Sequence, residues 1–523
     1  MWLIETSTLR LTSFSSSTKC PPYAILSHAW GEDLDEVSFQ EMALDDLSPS
    51  TTKKPGFEKI AKTCKLARTA HGLKYTWVDT CCIDKTSSAE LSEAINSMFA
   101  WYEQADVCFA FLSDLSPDSH SLEDCIWFKR GWTLQELIAP REVIFLDKFW
   151  AKRGSKRANK HEIAKISGVA AGILDRTLAL VDIPVAVRMS WAAQRKTTRE
   201  EDLAYCLLGI FDVNMPMLYG EGRKAFFRLQ EEIIKQIPDL SIFAWTALPN
   251  SGVKYTGLLA REPAEFINTR NLVLLQEELD ILDFSITNLG IRIHVAVDQD
   301  RLEGHFILPV NLCSSGVKKN RKGIYLRQIG TKLFVRALPE VLADCSDTAS
   351  LCKMAKSLQI VKTLMPHQIA AIERNVIGIR IPEYPIAKVE PVGCWDPSRN
   401  MLFAGHTGAF VGYIHFTPEW SDEYDSYILV CHFNSSWSTS PWRFHLECGD
   451  DWKDKETRYS SYYNLCDEDG ANLQALELSL NLPHLYKQSV EMVVTVRAAF
   501  NIRQAPEVTW LDMDVKQRRV ALY

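Results

Sequence analysis

The sequence predicts an α/β protein that gives way to β structure. A mostly parallel sheet with helices on both faces is expected over residues 1–150, a helical extension packed on it over 151–245, and a β-rich, mostly antiparallel sandwich or barrel-like domain over 250–523. Three observations carry this. Short apolar runs alternate with helical patterns up to about residue 150. Apolar residues then recur at helical spacing to about Trp245. Beyond it, short alternating runs separated by turn residues dominate.

The elements follow in chain order. Tyr23 to Ser27 reads as a buried strand. Phe57, Ile60, Ala61, Cys64 and Ala67 lie at helical spacing, and Gly72 is a natural stop. Tyr75 to Asp79 is the next strand. Ser87 and Glu90 form a capping-box pattern before a helix carrying Leu91, Ile95, Met98, Phe99 and Tyr102 on one face. Val107 to Leu112 is a third strand, Trp127 to Leu137 a helix, and Glu142 to Leu146 a fourth strand. In the extension, Thr198 and Glu201 read as a second capping box opening a helix from Leu203 to Phe211. The turn Tyr219-Gly-Glu-Gly222 leads into a helix through Ile234. Strands are expected at Phe284, Ile291, Gly304, Gly323, Lys332, Ile377, Phe410 and Tyr427, with 470–482 a short helix or a loop.

Composition narrows the classes of function. A hydrophobic fraction of 46% is ordinary globular material, and a net charge of −8 argues against generic nucleic-acid binding. The basic runs from Lys152 to Lys160 and from Lys318 to Lys322 read as solvated loops. Neither a secretory leader nor an apolar run long enough to span a bilayer is expected. The 14 cysteines are scattered, which reads as reduced core thiols in a cytoplasmic protein, with no metal site. Aromatics such as Trp395, Trp437 and Trp442 read as sandwich core, with carbohydrate contact the weaker alternative.

Chemistry concentrates in the first 150 residues. Ligands of open parallel sheets bind beyond the carboxyl ends of the strands, which here are Ser27-His28, Asp79-Thr80 and Ser113-Asp114. In Arg130-Gly-Trp132-Thr-Leu-Gln-Glu136-Leu137 an aromatic ring and a carboxylate fall four residues apart, on one helix face. That pair suits a flat cationic ring beside a developing positive charge. The first strand is not followed by a glycine-rich dinucleotide fingerprint, so a tightly bound redox cofactor is not expected.

The blocks Pro22-Tyr-Ala-Ile-Leu-Ser-His-Ala-Trp-Gly31, Trp77-Val-Asp-Thr-Cys-Cys-Ile-Asp-Lys85 and Gly131-Trp-Thr-Leu-Gln-Glu-Leu137 resemble the fungal heterokaryon incompatibility (HET) domain, over about residues 1–245. The resemblance implies a cell-death effector of heterokaryon incompatibility or innate immunity. It also implies a TIR-like, flavodoxin-like sheet, and, as in many TIR domains, cleavage of NAD+ to nicotinamide and ADP-ribose by one helical glutamate. Thr133 stands where TIR sequences usually carry cysteine.

On this reading Glu136 is the catalytic carboxylate and NAD+ is a substrate rather than a resident cofactor. Trp132 or Trp30 stacks on a ring; Ser27, His28 and Gly31 contact phosphate or ribose; Asp79 holds a hydroxyl; Arg130 pairs with a phosphate. Each has a structural alternative: a solvated or surface-paired Glu136, core tryptophans, a loop-bonding His28, an Asp79 that caps a turn. The competing function is a non-enzymatic signalling or oligomerisation module acting through protein–protein contacts. Self-association or an upstream immune receptor is the expected partner, and the β-rich half a regulatory domain.

Overall fold

The structure, a computed structural model of the chain, describes residues 1–275 apart from 15–19, 45, 120 and 250. Beyond these it describes 284–295, 298–299, 306–314, 321–330, 332–345, 356–364, 372, 376–380, 386–390, 394–397, 400–404, 409–416, 427–434, 442–448, 463–464, 476–481, 490–498, 509–512 and 515–521.

The N-terminal sheet has strands β1 (Trp2–Glu5), β2 (Leu11–Ser13), β3 (Tyr23–His28), β4 (Tyr75–Trp77), β5 (Val107–Phe111), β6 (Val143–Leu146) and β7 (Lys152–Ser155). Their order is β2-β1-β4-β3-β5-β6-β7. The inner four are parallel, with Ala24 beside Thr76 on one side and Val107 on the other. β1 and β7 flank these four antiparallel, and β2 adds the outer edge beside β1, so the sheet is mixed rather than parallel throughout. The edge strands β2 and β7 carry too few apolar residues to stand out, whereas β1 is the short apolar run Trp2-Leu3-Ile4. β3, β5 and β6 are buried along their whole length; β5 and β6 are unbroken apolar runs, and β3 is apolar up to Ser27-His28.

Helices α1 (Pro55–His71) and α2 (Ser88–Gln104) link the parallel strands. α1 has Pro55 at its first turn and Gly72 in the left-handed region (φ 67°) past its end. Ser87 caps α2 by accepting from the Glu90 amide. From β3 the chain passes to β4 on one side, then back over β3 to β5. Right-handed crossovers therefore put α1 and α2 on opposite faces. The carboxyl ends of β3 and β5 flank the point where the strand order reverses.

The single helix expected over Trp127–Leu137 is broken. A 3₁₀ turn (Ile126–Lys129) precedes α3 (Thr133–Ile138), and Arg130-Gly131 runs between them. The Gly131 amide donates to the Lys196 carbonyl (2.8 Å) and the Lys196 amide to Lys129 (2.8 Å). A Cβ on Gly131 would sit 2.5 Å from Thr197 Cγ2, so any other residue here must push that methyl aside.

The basic run from Lys152 to Lys160 is not a loop. It forms β7, a four-residue turn over 156–159 and the start of α4 (Lys160–Ser167), and within that turn Lys156 is fully buried. α5 (Val185–Ser190) follows. The helix expected from Leu203 to Phe211 is two short ones, Asp202–Tyr205 and Leu208–Phe211. Glu201 does not complete a capping box, because its carboxylate accepts instead from the amides of Gly220 and Gly222 (2.8 and 2.9 Å).

α6 (Lys224–Gln236) buries Phe226, Leu229, Ile233 and Ile234. Packing is continuous across residue 245: one core cluster runs from Leu3 to Ile360. Gln230 exchanges two hydrogen bonds with Ala260, and Thr269 Oγ1 donates to the Ala186 carbonyl (2.9 Å). Arg336 lies 3.8 Å from the Trp245 ring centroid, fully buried, and donates to the carbonyls of Phe243 and Trp245.

The remaining described strands form four further sheets, and most of their pairings are antiparallel. In the largest, Gly290–Val295, Lys356–Ile360, Leu333–Ala337, Arg321–Gln328 and Phe306–Ser314 are successive neighbours. Within 470–482 the described part is a strand, Leu476–Asn481, paired with Val490–Ala498. Leu476, Leu478 and Leu480 alternate with period two, which fits a strand and not a helix. Trp442 is core, packed 5.1 Å from Phe433. Trp437 and Lys318 lie outside the described residues.

Candidate functional site

Ser27 and His28 end β3 with side chains buried beneath the loop that follows. Ser27 Oγ accepts from the Trp127 indole (2.7 Å) and donates to Glu136 Oε2, reaching from the first strand to α3. Glu136 is 5% exposed. Burial pushes its carboxyl up to about 8, and the negative charge of Asp79 adds to this. The hydrogen bonds of Ser27 and Tyr102 and the charge of Arg130 only partly oppose the rise. Glu136 is thus neither solvated nor in a surface pair. It is mainly a neutral acid at pH 7 in this closed arrangement.

His28 lies between two carboxylates, with Nε2 3.6 Å from Glu36 Oε2 and Nδ1 3.8 Å from Asp79 Oδ1. Burial pushes the Glu36 carboxyl up. His28, the Gly31 amide (2.8 Å) and Lys59 (2.5 Å) outweigh it and hold the group at about 2. Gly31 therefore has its amide engaged by Glu36. Asp79 Oδ2 accepts from the Trp30 indole (2.7 Å), while the buried Oδ1 makes no hydrogen bond. Trp30 is 40% exposed, with the Lys85 ammonium 3.9 Å from its ring centroid.

The structure thus brings Ser27, His28, Trp30, Gly31, Asp79 and Glu136 together at the strand ends. Arg130 is half-buried, close enough for its charge to act on Glu136. Trp132 is engaged elsewhere: burial pushes the Asp202 carboxyl up, against hydrogen bonds from Tyr219 and the Trp132 indole. Thr133 has a structural task of its own. Its hydroxyl donates to the Trp127 carbonyl (2.5 Å), with the Arg130 carbonyl a longer alternative (3.0 Å), and accepts from Arg195 Nη1 (2.9 Å), fastening the start of α3.

Four contributors were not singled out from the sequence. Glu36 sits in an acidic stretch, and Lys59 and Tyr102 on helices, where nothing local marks them. Trp127 could have been found, since a tryptophan at the start of a motif helix is a candidate partner for the polar group opposite.

Residues 23–125 match the heterokaryon incompatibility protein (HET) family, and residues 224–287 match a domain of unknown function (DUF8212). The chain is 45% identical over 238 residues to the vegetative incompatibility protein HET-E-1 of Podospora anserina. The matched stretch is 43% of this chain and 17% of that relative's length. No solved structure matches. This chain therefore carries a HET domain over residues 23–125, built on the sheet whose strand ends carry Ser27, His28 and Asp79.

Proposed function

We propose that this protein is a cell-death effector of heterokaryon incompatibility whose strand-end site cleaves NAD+ to nicotinamide and ADP-ribose. The observation that carries the reading is the buried Glu136 carboxyl, held by Ser27 at the point of strand-order reversal beside the half-free carboxylate of Asp79. A TIR-like fold is part of the same proposal, supported by parallel strands in the spatial order second, first, third, fourth.

Losing nicotinamide builds positive charge on the ribose, and a carboxylate beside that carbon stabilises it. Glu136 at about 8 is mostly unready alone. The nicotinamide ring of NAD+ is itself cationic, and a positive charge within a few ångströms favours the ionised carboxyl. Substrate would thus ionise the group that acts on it. The Trp30 face, now covered by the Lys85 ammonium, offers the same cation-binding surface to that ring.

The test is nicotinamide release by the full chain, wild type beside Glu136→Gln, at high protein concentration, with cellular NAD+ and cell death followed in parallel. The reading expects release and killing by the wild type and a loss of at least about 100-fold in the variant. Killing by both forms with NAD+ unchanged would sink it. The scaffold reading would then stand, favoured by the exposure of Trp30 and Leu34 (85%) on the loop over the site.

A further inference from the structure

Away from the strand-end residues, between α4, α5 and residues 270–271, lies a cavity of about 360 Å³. Its walls are the C-terminal end of α4, α5 with Trp191 at its end, and Arg270-Asn271. Residues 270 and 271 belong to the stretch that matches the domain of unknown function. The size falls in the range of small-molecule sites.

The lining is asymmetric. Ile183 and Val187 supply an apolar side, and Lys165, Arg270, Asn271 and the Trp191 indole supply donors. No carboxylate lines it. Trp191 is 2% exposed, and its indole nitrogen is buried without a hydrogen-bond partner. The Arg270 Nε is buried and equally unpartnered. Burial holds the Arg270 guanidinium below its ordinary value, with no anion to offset it. Arg270 lies across Gly168, where a Cβ would fall 2.4 Å from its Nε. Gly168 has φ +75° and ends α4, so the missing side chain makes the berth for the guanidinium.

The bland account is that Arg270 faces the negative end of α4. That account leaves Nε and the Trp191 indole N–H buried without acceptors, which is unfavourable for each group. Two buried donors, a lysine and no counter-charge around an open cavity are a receptor short of its anion.

We propose that this cavity binds a small organic anion, a carboxylate or phosphate on an apolar body. The Arg270 guanidinium and Lys165 hold the charge, the Trp191 indole N–H is a third donor, and Ile183 and Val187 pack the body. Its position links it to α3. The Trp191 carbonyl accepts from Arg195 Nε (3.3 Å), and Arg195 Nη1 holds the Arg130 carbonyl (2.8 Å) and the Thr133 hydroxyl at the start of that helix.

The experiment titrates the full chain calorimetrically with phenyl phosphate, benzoate and neutral benzyl alcohol. The Trp191 indole N–H is followed by NMR and assigned with Trp191→Phe. The proposal expects saturable binding of at least one anion and none of benzyl alcohol. The Trp191 resonance should shift, and binding should weaken at least about tenfold in Arg270→Gln. Ala170→Leu, which fills the cavity and leaves both cations in place, should weaken it as well. Preference between the two anions tells phosphate from carboxylate. Absence of saturable binding by either anion, equal binding of the alcohol, or binding unchanged in both variants would overturn it. None of these readouts depends on NAD+ cleavage, so failure here is distinct from failure of the proposed activity.

Discussion

Glu136 ionises near 8 because α3 delivers it under the β3 loop, where water is excluded and Asp79 is close. This has a thermodynamic signature. A carboxyl raised from its usual value binds a proton in the folded state that the unfolded chain has released. Stability therefore falls as pH rises from about 4.5 to about 8 and is flat beyond, as far as this group is concerned. Glu136→Gln removes that slope and keeps an oxygen for Ser27. Denaturant midpoints at pH 5 and pH 8 should diverge more for wild type than for the variant; equal divergence would show that the carboxyl is solvated. Trp30 permits a second residue-level test. On the proposed activity, Trp30→Ala is expected to raise KM for NAD+ well above any change in kcat, since a half-exposed ring would hold substrate without touching the scissile bond. Much of this site was legible, because Ser27, His28 and Asp79 end apolar runs. The short spacing from Trp132 to Glu136 was legible too, but not that Asp202 would claim the indole. Ion pairs distant in sequence, such as Lys59 with Glu36, leave no local pattern to read.

At the scale of elements, α3 is short and held at both ends by others. Arg195 and Gly131 fasten its start. Lys156 closes its end, donating to the carbonyls of Leu137 (3.2 Å), Ile138 (3.3 Å) and Pro140. Burial lowers the Lys156 ammonium to about 8. Lys156→Ala leaves those carbonyls without their cation and is expected to cost about 2–4 kcal/mol by chemical denaturation. A loss within experimental error would show that water replaces it. Gly131→Ala forces the Thr197 methyl aside and should cost about 1–3 kcal/mol in the same assay. Neither dependence was readable beforehand. A lysine within a basic run looks solvated until three carbonyls converge on it, and the glycine matters only because residue 197 returns to meet it.

For the whole molecule, the change of sequence character near Trp245 does not coincide with a break in packing. Trp245 donates its indole N–H to the Leu258 carbonyl (2.9 Å), and Arg336 crosses back to it. A chain cut after residue 245 loses the partners of Gln230, Ala186 and Trp245. It is expected to be aggregation-prone and to lack a cooperative melt; a sharp transition close to that of the full chain would refute this. Alternating patterns announce strands well, as in Ala409–Phe416, but say nothing of which neighbour a strand will cover. The joint between the two halves joins a continuous apolar core to buried polar pairings, and a hydrophobic pattern along the chain reveals neither which apolar faces meet nor which polar groups pair.

The bond from Ser27 to Glu136 has a further consequence for what counts as a transplantable unit. The region that matches the HET family, residues 23–125, ends eleven positions before the carboxyl its own serine holds. A chimaera assembled from that stretch would inherit the signature and leave behind the group it encloses. The smallest graft that keeps the two together must extend through Lys196, whose backbone pins the loop before α3.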